Sequence, residues 1–140
     1  MTGDDDDVVQ FLNGQWPPAV QTLQGHATGY NLEQKSLEMR FKTSPEFCHS
    51  GDIVQGGYVS GMLDAVMAFA AIGSPDVCDW VATLEIKVNF IARARNGKFT
   101  ASGRVVHCGR TVGYLSGELF QDSNLVATAT STVKLIHSKT

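Results

Sequence analysis

The segment GGYVSGMLDAVMAFAAIG, residues 56–73, restricts the possible folds more than any other part of this 140-residue chain. Between residues 58 and 72 its one helix breaker is Gly61, and Gly73 follows as a C-terminal stop, so the segment is predicted to be a helix. Val59, Met62, Leu63, Val66, Met67, Phe69 and Ile72 leave no polar stripe on its surface. Such a helix has to be enclosed on most sides.

The flanking sequence supplies strands to enclose it. Residues 37–43 alternate Leu37, Met39 and Phe41 with Glu38, Arg40 and Lys42, the mark of a half-buried strand. Residues 81–91 set Leu84, Ile86, Val88 and Phe90 against Thr83, Glu85, Lys87 and Asn89. Three more strands are predicted at 98–107, 111–120 and 125–136, and the short turns at 108–110 and 121–124 make them antiparallel neighbours. One strand, the helix and a four-strand meander give an α+β fold, an antiparallel sheet wrapped around one long central helix.

Ahead of this core, Asp4 to Asp7 precede Val8, Phe11 and Leu12 at helical spacing, which predicts a short helix ending near Asn13-Gly14. Residues 15–36, with Trp16-Pro17-Pro18 and several glycines, are expected to form a connection with local structure only. The length suits one domain over 1–140, with its core at 37–136.

Composition removes several function classes. A net charge of −3 and a pI near 5.7 give no reason to expect nucleic acid or an anionic membrane as partner. The longest apolar run, residues 65–72, is far short of the ~20 residues a bilayer span needs. Cys48, Cys78 and Cys108 form no CxxC pair and are odd in number, which suits a reducing cytosol. The chain opens with acidic residues rather than a basic and apolar leader, so a cytoplasmic protein is expected. The histidines have no metal-ligand spacing, and neither Ser60 nor Ser116 sits in G-x-S-x-G.

The chemistry points to the helix. A carboxylate in the middle of an apolar helix must be paired, protonated or functional, so Asp64 is either a structural aspartate or a catalytic one. Gln55-Gly56-Gly57 places glycines at the helix entrance, where unpaired N–H groups and the positive end of the dipole can polarise a carbonyl; a tight turn is the alternative. Gly56 and Asp64 are eight residues apart, roughly 12 Å along a helix at 1.5 Å per residue. If both act on one carbonyl, Gly56 of one chain has to face Asp64 of another across a twofold axis.

Three motifs carry a family resemblance: HSGDIVQGGYVSGMLDAVMAFAA with its Gly-Gly pair and acid, then the T-x-E-x-x-x-N-F strand from Thr83, then the Gly109-Arg110 turn. Over residues 37–136 the chain resembles the hotdog-fold thioesterases of the phenylacetic-acid-degradation (PaaI-like) type. The resemblance implies an acyl-CoA thioesterase with no metal or bound cofactor, and a homodimer sharing its active sites that commonly pairs into a homotetramer. It makes Asp64 the nucleophile or general base, Thr83 the hydroxyl that helps hold water, Gly56 the backbone donor to the thioester carbonyl, and Gln55 and His49 its neighbours. Members often carry histidine in place of Gln55 and asparagine in place of His49. Both substitutes keep hydrogen-bonding capacity, and His49 adds a titrating group.

The resemblance puts the CoA contacts at Gly57, Phe90, Ile91, Arg93, Cys108, Gly109, Arg110 and Thr111. A run of basic residues without an acid, Lys87, Arg93, Arg95, Lys98, Arg104 and Arg110, agrees with a phosphate-bearing ligand, although alternating strand positions also show charge to water. Tyr58, Met62 and Phe69 are candidates for the acyl pocket, with plain core as the alternative for each. A non-catalytic acyl-CoA-binding protein of the same fold is the competing expectation.

Overall fold

The computed structural model describes residues 4–138. Helix α1 (Asp5–Asn13) begins on Asp4, whose carboxylate accepts the Asp7 N–H at 2.8 Å, so the acidic run serves as a helix cap. Val8 and Leu12 bury fully beneath it. A short helix α2 (Pro18–Thr22) and strands β1 (His26–Asn31) and β2 (Ser36–Lys42) follow. A small hairpin, β3 (Cys48–Ser50) and β4 (Ile53–Val54), leads into α3 (Gly56–Ile72), then β5 (Trp80–Phe90), β6 (Lys98–Cys108), β7 (Val112–Gln121) and β8 (Asn124–Ile136). None of the described helices is long and apolar enough to cross a membrane.

The main sheet is antiparallel and six-stranded, in the order β1-β2-β6-β7-β8-β5. The fold class is the expected one, α+β with a sheet wrapped around a long helix. Two expectations are corrected. Residues 15–36 hold a helix and an edge strand: a bulge between Ala27 and Gly29 puts Ala27 and Tyr30, three positions apart, on the buried face, and this breaks the alternation that would have marked β1. The four-strand meander is a three-strand one, because β5 crosses to the far side of β8 and leaves β2 to pair with β6.

α3 lies in the hollow of this sheet. Met62, Leu63, Val66 and Met67 are fully buried, each contributing roughly 1.5–3 kcal/mol by leaving water. Two glycines allow the close approach. Gly103 on β6 and Gly117 on β7 are paired across the strands; a Cβ on Gly103 would lie 2.5 Å from the Val66 carbonyl oxygen, and one on Gly117 would lie 2.9 Å from Met67 Cγ. The helix backbone therefore rests on the strand backbone, at the point where any larger residue would lift it away.

Gly73 ends the helix in an ordinary right-handed conformation, φ −67°. Its small size is a packing requirement, since a Cβ would come 2.7 Å from the Tyr30 ring. Tyr30 in turn donates its hydroxyl to the Ala70 carbonyl at 2.6 Å, and burial, the largest cause, pushes its ionisation far above the ordinary phenol range. Glu38 on β2 has its carboxyl pushed up by burial, an effect opposed by a bond to Ser102 and reinforced by Glu118.

Gly103→Ala is expected to cost about 1–3 kcal/mol, read as a lower urea midpoint; an unchanged midpoint would contradict the backbone contact. For Glu38 the folded pKa is raised, so its contribution is most favourable below the ordinary carboxylate pKa and falls as pH rises through the folded value. Glu38→Gln is therefore expected to raise the melting temperature at pH 7.5 and leave it unchanged at pH 3.5.

Candidate active site

α3 is not enclosed on every side. Ser60, Gly61, Asp64 and Ala68 form a half-buried stripe of small residues and one acid, continued at the helix entrance by the exposed Gly57. Asp64 thus avoids the cost of full burial. It accepts a hydrogen bond from the Thr83 hydroxyl of β5 through Oδ1 at 3.1 Å, so the sheet positions one carboxylate oxygen. The pair opens into a cavity of about 290 Å³ whose walls include Val20, Leu23, Phe69 and Trp80.

Part of that wall is α2, which begins at Pro18 after the extended Pro17. The connection expected to carry no function therefore encloses the carboxylate. Trp16 meets Phe69 edge-on at 4.9 Å, and Phe69 meets Trp80 edge-on at 5.6 Å, so three aromatic rings close this end. The Trp16-Pro17-Pro18 run was the available signal for it. Of the candidate acyl-pocket residues, Phe69 lines this cavity, Met62 is fully buried in the core, and Tyr58 packs on Phe47 at 4.6 Å.

The helix entrance lies elsewhere. The Gln55 carbonyl accepts the N–H groups of Tyr58 at 3.0 Å and Val59 at 3.4 Å, which leaves the leading N–H groups of Gly56 and Gly57 outside the helical ladder. A Cβ on Gly56 would meet the Phe90 ring at 3.1 Å, whereas Gly57 faces open space. A second cavity, about 480 Å³, brings together His49, Gly56, Phe90, Ile91 and Arg93. His49 Nδ1 shares a hydrogen bond with the Ser50 hydroxyl at 2.8 Å. Gln55 is exposed beside this cavity, with its N–H donated to the Phe47 carbonyl at 2.9 Å.

Cys108, Gly109, Arg110 and Thr111 form the β6–β7 turn. Thr111 accepts the Leu135 N–H at 2.8 Å, and the Arg110 carbonyl lies 3.1 Å from His137 Nε2. Ile136 pairs with Trp80, so this turn is at the Asp64 end of the sheet, whereas Phe90 to Arg93 lie at the other end of β5. Thr83 and Phe90 are seven residues apart, roughly 23 Å along a strand. Within one chain the predicted site residues therefore fall into two separate groups: Asp64, Thr83 and the 108–111 turn in one, His49, Gly56, Phe90, Ile91 and Arg93 in the other. From the same basic run, Arg95 is bonded to Asp52 at 3.1 Å, and Lys98 lines neither cavity and lies apart from both groups.

The sheet edge between the two groups is β5, where the expected apolar face is largely uncovered. Leu84 is 61% exposed, Phe90 58% and Ile91 57%, and a bulge between Thr83 and Glu85 disturbs the alternation.

Comparison with known proteins gives a consistent result. The family model of the thioesterase superfamily matches residues 51–128. A phenylacetic acid degradation-related protein of Ralstonia eutropha JMP134, whose solved structure is described as that of a thioesterase, is 34% identical and superimposes with a TM-score of 0.83 over 91% of this chain and 98% of that one. The PaaI protein of the E. coli phenylacetic acid degradation operon superimposes at 0.78 over 88% of this chain and 87% of its own, with 15% identity, a likeness of fold. A Saccharolobus solfataricus protein named as an esterase is 33% identical over 82 residues, 59% of this chain and 58% of that relative, so the match spans little more than half of the relative's length.

Proposed function

The chain belongs to the thioesterase superfamily, in its PaaI-like hotdog branch, and on that premise we propose that it hydrolyses acyl-CoA thioesters to free acid and CoA. The observation that carries the reading is the hydrogen bond from Thr83 to Asp64 at the mouth of an apolar cavity. Thr83 occupies Oδ1 and leaves Oδ2 for water. Asp64 takes a proton from that water as its oxygen bonds the thioester carbon, and the carbonyl oxygen becomes an oxyanion. A backbone N–H of Gly56 at a helix entrance stabilises that oxyanion. When the tetrahedral intermediate collapses, the C–S bond breaks and the proton held by Asp64 goes to the leaving thiolate. The reaction so written requires no cofactor or metal.

The Gly56 donor comes from a second copy of the chain. Antiparallel pairing of two β5 edges would cover Leu84, Phe90 and Ile91 and bring the His49, Gly56 and Arg93 half of one copy against the Asp64 and Thr83 half of the other. Arg93 from one copy and Arg110 from the other then hold the CoA phosphates, with Gly57, Gln55 and the 108–111 turn bordering the ligand. Further pairing into a tetramer has an apolar candidate surface in Val106, Val112 and Tyr114, all exposed.

Thiol release from a panel of acyl-CoAs tests the chemistry. Asp64→Asn is expected to lower kcat by about 10²- to 10⁴-fold, and Thr83→Val to lower it less, with the fold retained by circular dichroism. Tight binding of acyl-CoA without release by the unaltered protein would favour the non-catalytic reading. Sharing of sites is tested by mixing two inactive variants, Gly56→Pro and Asp64→Ala. Proline is tolerated at a first helical position, and Gln55 already has the extended conformation that a following proline needs. Each mixed dimer would regain one intact site; confirmed mixing with no recovered activity would rule sharing out.

A further inference from the structure

A third cavity, about 980 Å³, is larger than both candidate-site cavities and shares no lining residue with them. It opens on the outer face of the sheet, where β7 turns into β8. One cross-strand row forms its floor: His26 on β1 pairs with Arg40 on β2, Arg40 with Thr100 on β6, and Thr100 with Phe120 on β7. In the neighbouring row Lys42 pairs with Lys98. Gln24-Gly25 and Asp122-Ser123 complete the lining, and Gln24, Asp122 and Ser123 have φ values of 52°, 51° and 66°.

Its charge is unusual for this chain. Lys42 and Lys98 stand directly opposite each other, where side chains are roughly 5 Å apart at Cβ and like charges repel. Arg40 lies one row away on the same face. Asp122 is the acidic group lining the groove, so the groove carries a net charge of two positive with His26 neutral, on a chain whose total is −3. Among the described residues Arg40, Lys42 and Lys98 have no carboxylate within ion-pair distance; the pair found is Arg95 with Asp52. Three cations thus share the groove with one acidic residue, Asp122, and among the described residues none of the three is in an ion pair.

We propose that this groove is a separate binding site for a phosphorylated small ligand of the nucleoside diphosphate class. The phosphates lie among Arg40, Lys42 and Lys98, with the arginine fork taking two oxygens and the lysines acting as point charges. Phe120, half-buried in the lining, is the aromatic side chain on which the base would stack. The volume is within the range of about 300–1,000 Å³ typical of small-molecule sites. A concave site of this volume favours a compact ligand over the surface of an acidic protein, which a flat basic patch would suit better.

Binding of ADP to the full chain at low salt, followed by calorimetry, tests the site. Three proteins are compared: the unaltered chain, Lys42→Ala/Lys98→Ala, and Arg93→Ala/Arg110→Ala. The unaltered chain is expected to bind ADP at least tenfold more tightly than adenosine. The double lysine variant is expected to lose at least tenfold in ADP affinity while releasing thiol from acyl-CoA at the unaltered rate, and the double arginine variant to keep its ADP affinity. Removing two exposed, mutually repelling charges preserves the fold, which a melting curve verifies. Absence of ADP binding to the unaltered chain overturns the proposal. So does ADP binding that survives loss of the lysines and disappears with the arginines, or capture of an acidic protein by this face without any affinity for ADP.

Discussion

The seating of α3 on β6 and β7, backbone against backbone at Gly103 and the Met67 side chain against the strand at Gly117, fixes the rest of the structure. Gly103 and Gly117 let the helix settle until the Val66 carbonyl and the Met67 side chain reach the strands. At that depth Met62, Leu63, Val66 and Met67 leave water altogether. The same seating turns the stripe holding Ser60, Gly61 and Asp64 toward the open flank beside β5, within reach of Thr83. A helix held further out would bury less apolar surface and would carry its carboxylate away from that hydroxyl. Fold and candidate chemistry therefore depend on the same two missing side chains.

Much of this was legible in the sequence because the strongest signals were local. The apolar helix, the strict alternation in residues 37–43 and the short turns near residues 109 and 122 fix their elements without reference to the remainder of the chain. β1 was not legible, since its bulge places Ala27 and Tyr30 on one face at a spacing that neither a strand nor a helix pattern produces cleanly. The position of β5 was not legible either, because pairing with β8 rather than β6 is a choice between sheet edges, and both edges suit the same alternating sequence.

The candidate site divides along similar lines. Asp64 stands out in sequence as a charge where none is expected, and Gly56-Gly57 as residues without side chains at a helix entrance. Their separation was legible too, because helical rise is constant, and it agrees with two cavities that do not meet within one chain. The aromatic wall was hidden, since Trp16, Phe69 and Trp80 are distant in sequence and converge only when α2 folds over α3. For Met62 the choice between pocket and core was open for a related reason: a helical pattern says that a side chain is covered, and tertiary packing decides that the core covers it.

The small helix α2 has an evolutionary consequence. It is five residues long, and its segment is anchored chiefly by Val20 and Leu23, yet it supplies one wall of the cavity beside Asp64. The α3 part of the wall includes Ala65, Phe69 and Ile72, which are buried in the core. Mutations that reshape the cavity can therefore accumulate in α2 at little cost to folding, while the carboxylate and its threonine stay in place. Lineages with this architecture can diversify the shape of the chamber through a peripheral segment and inherit the interior almost unchanged.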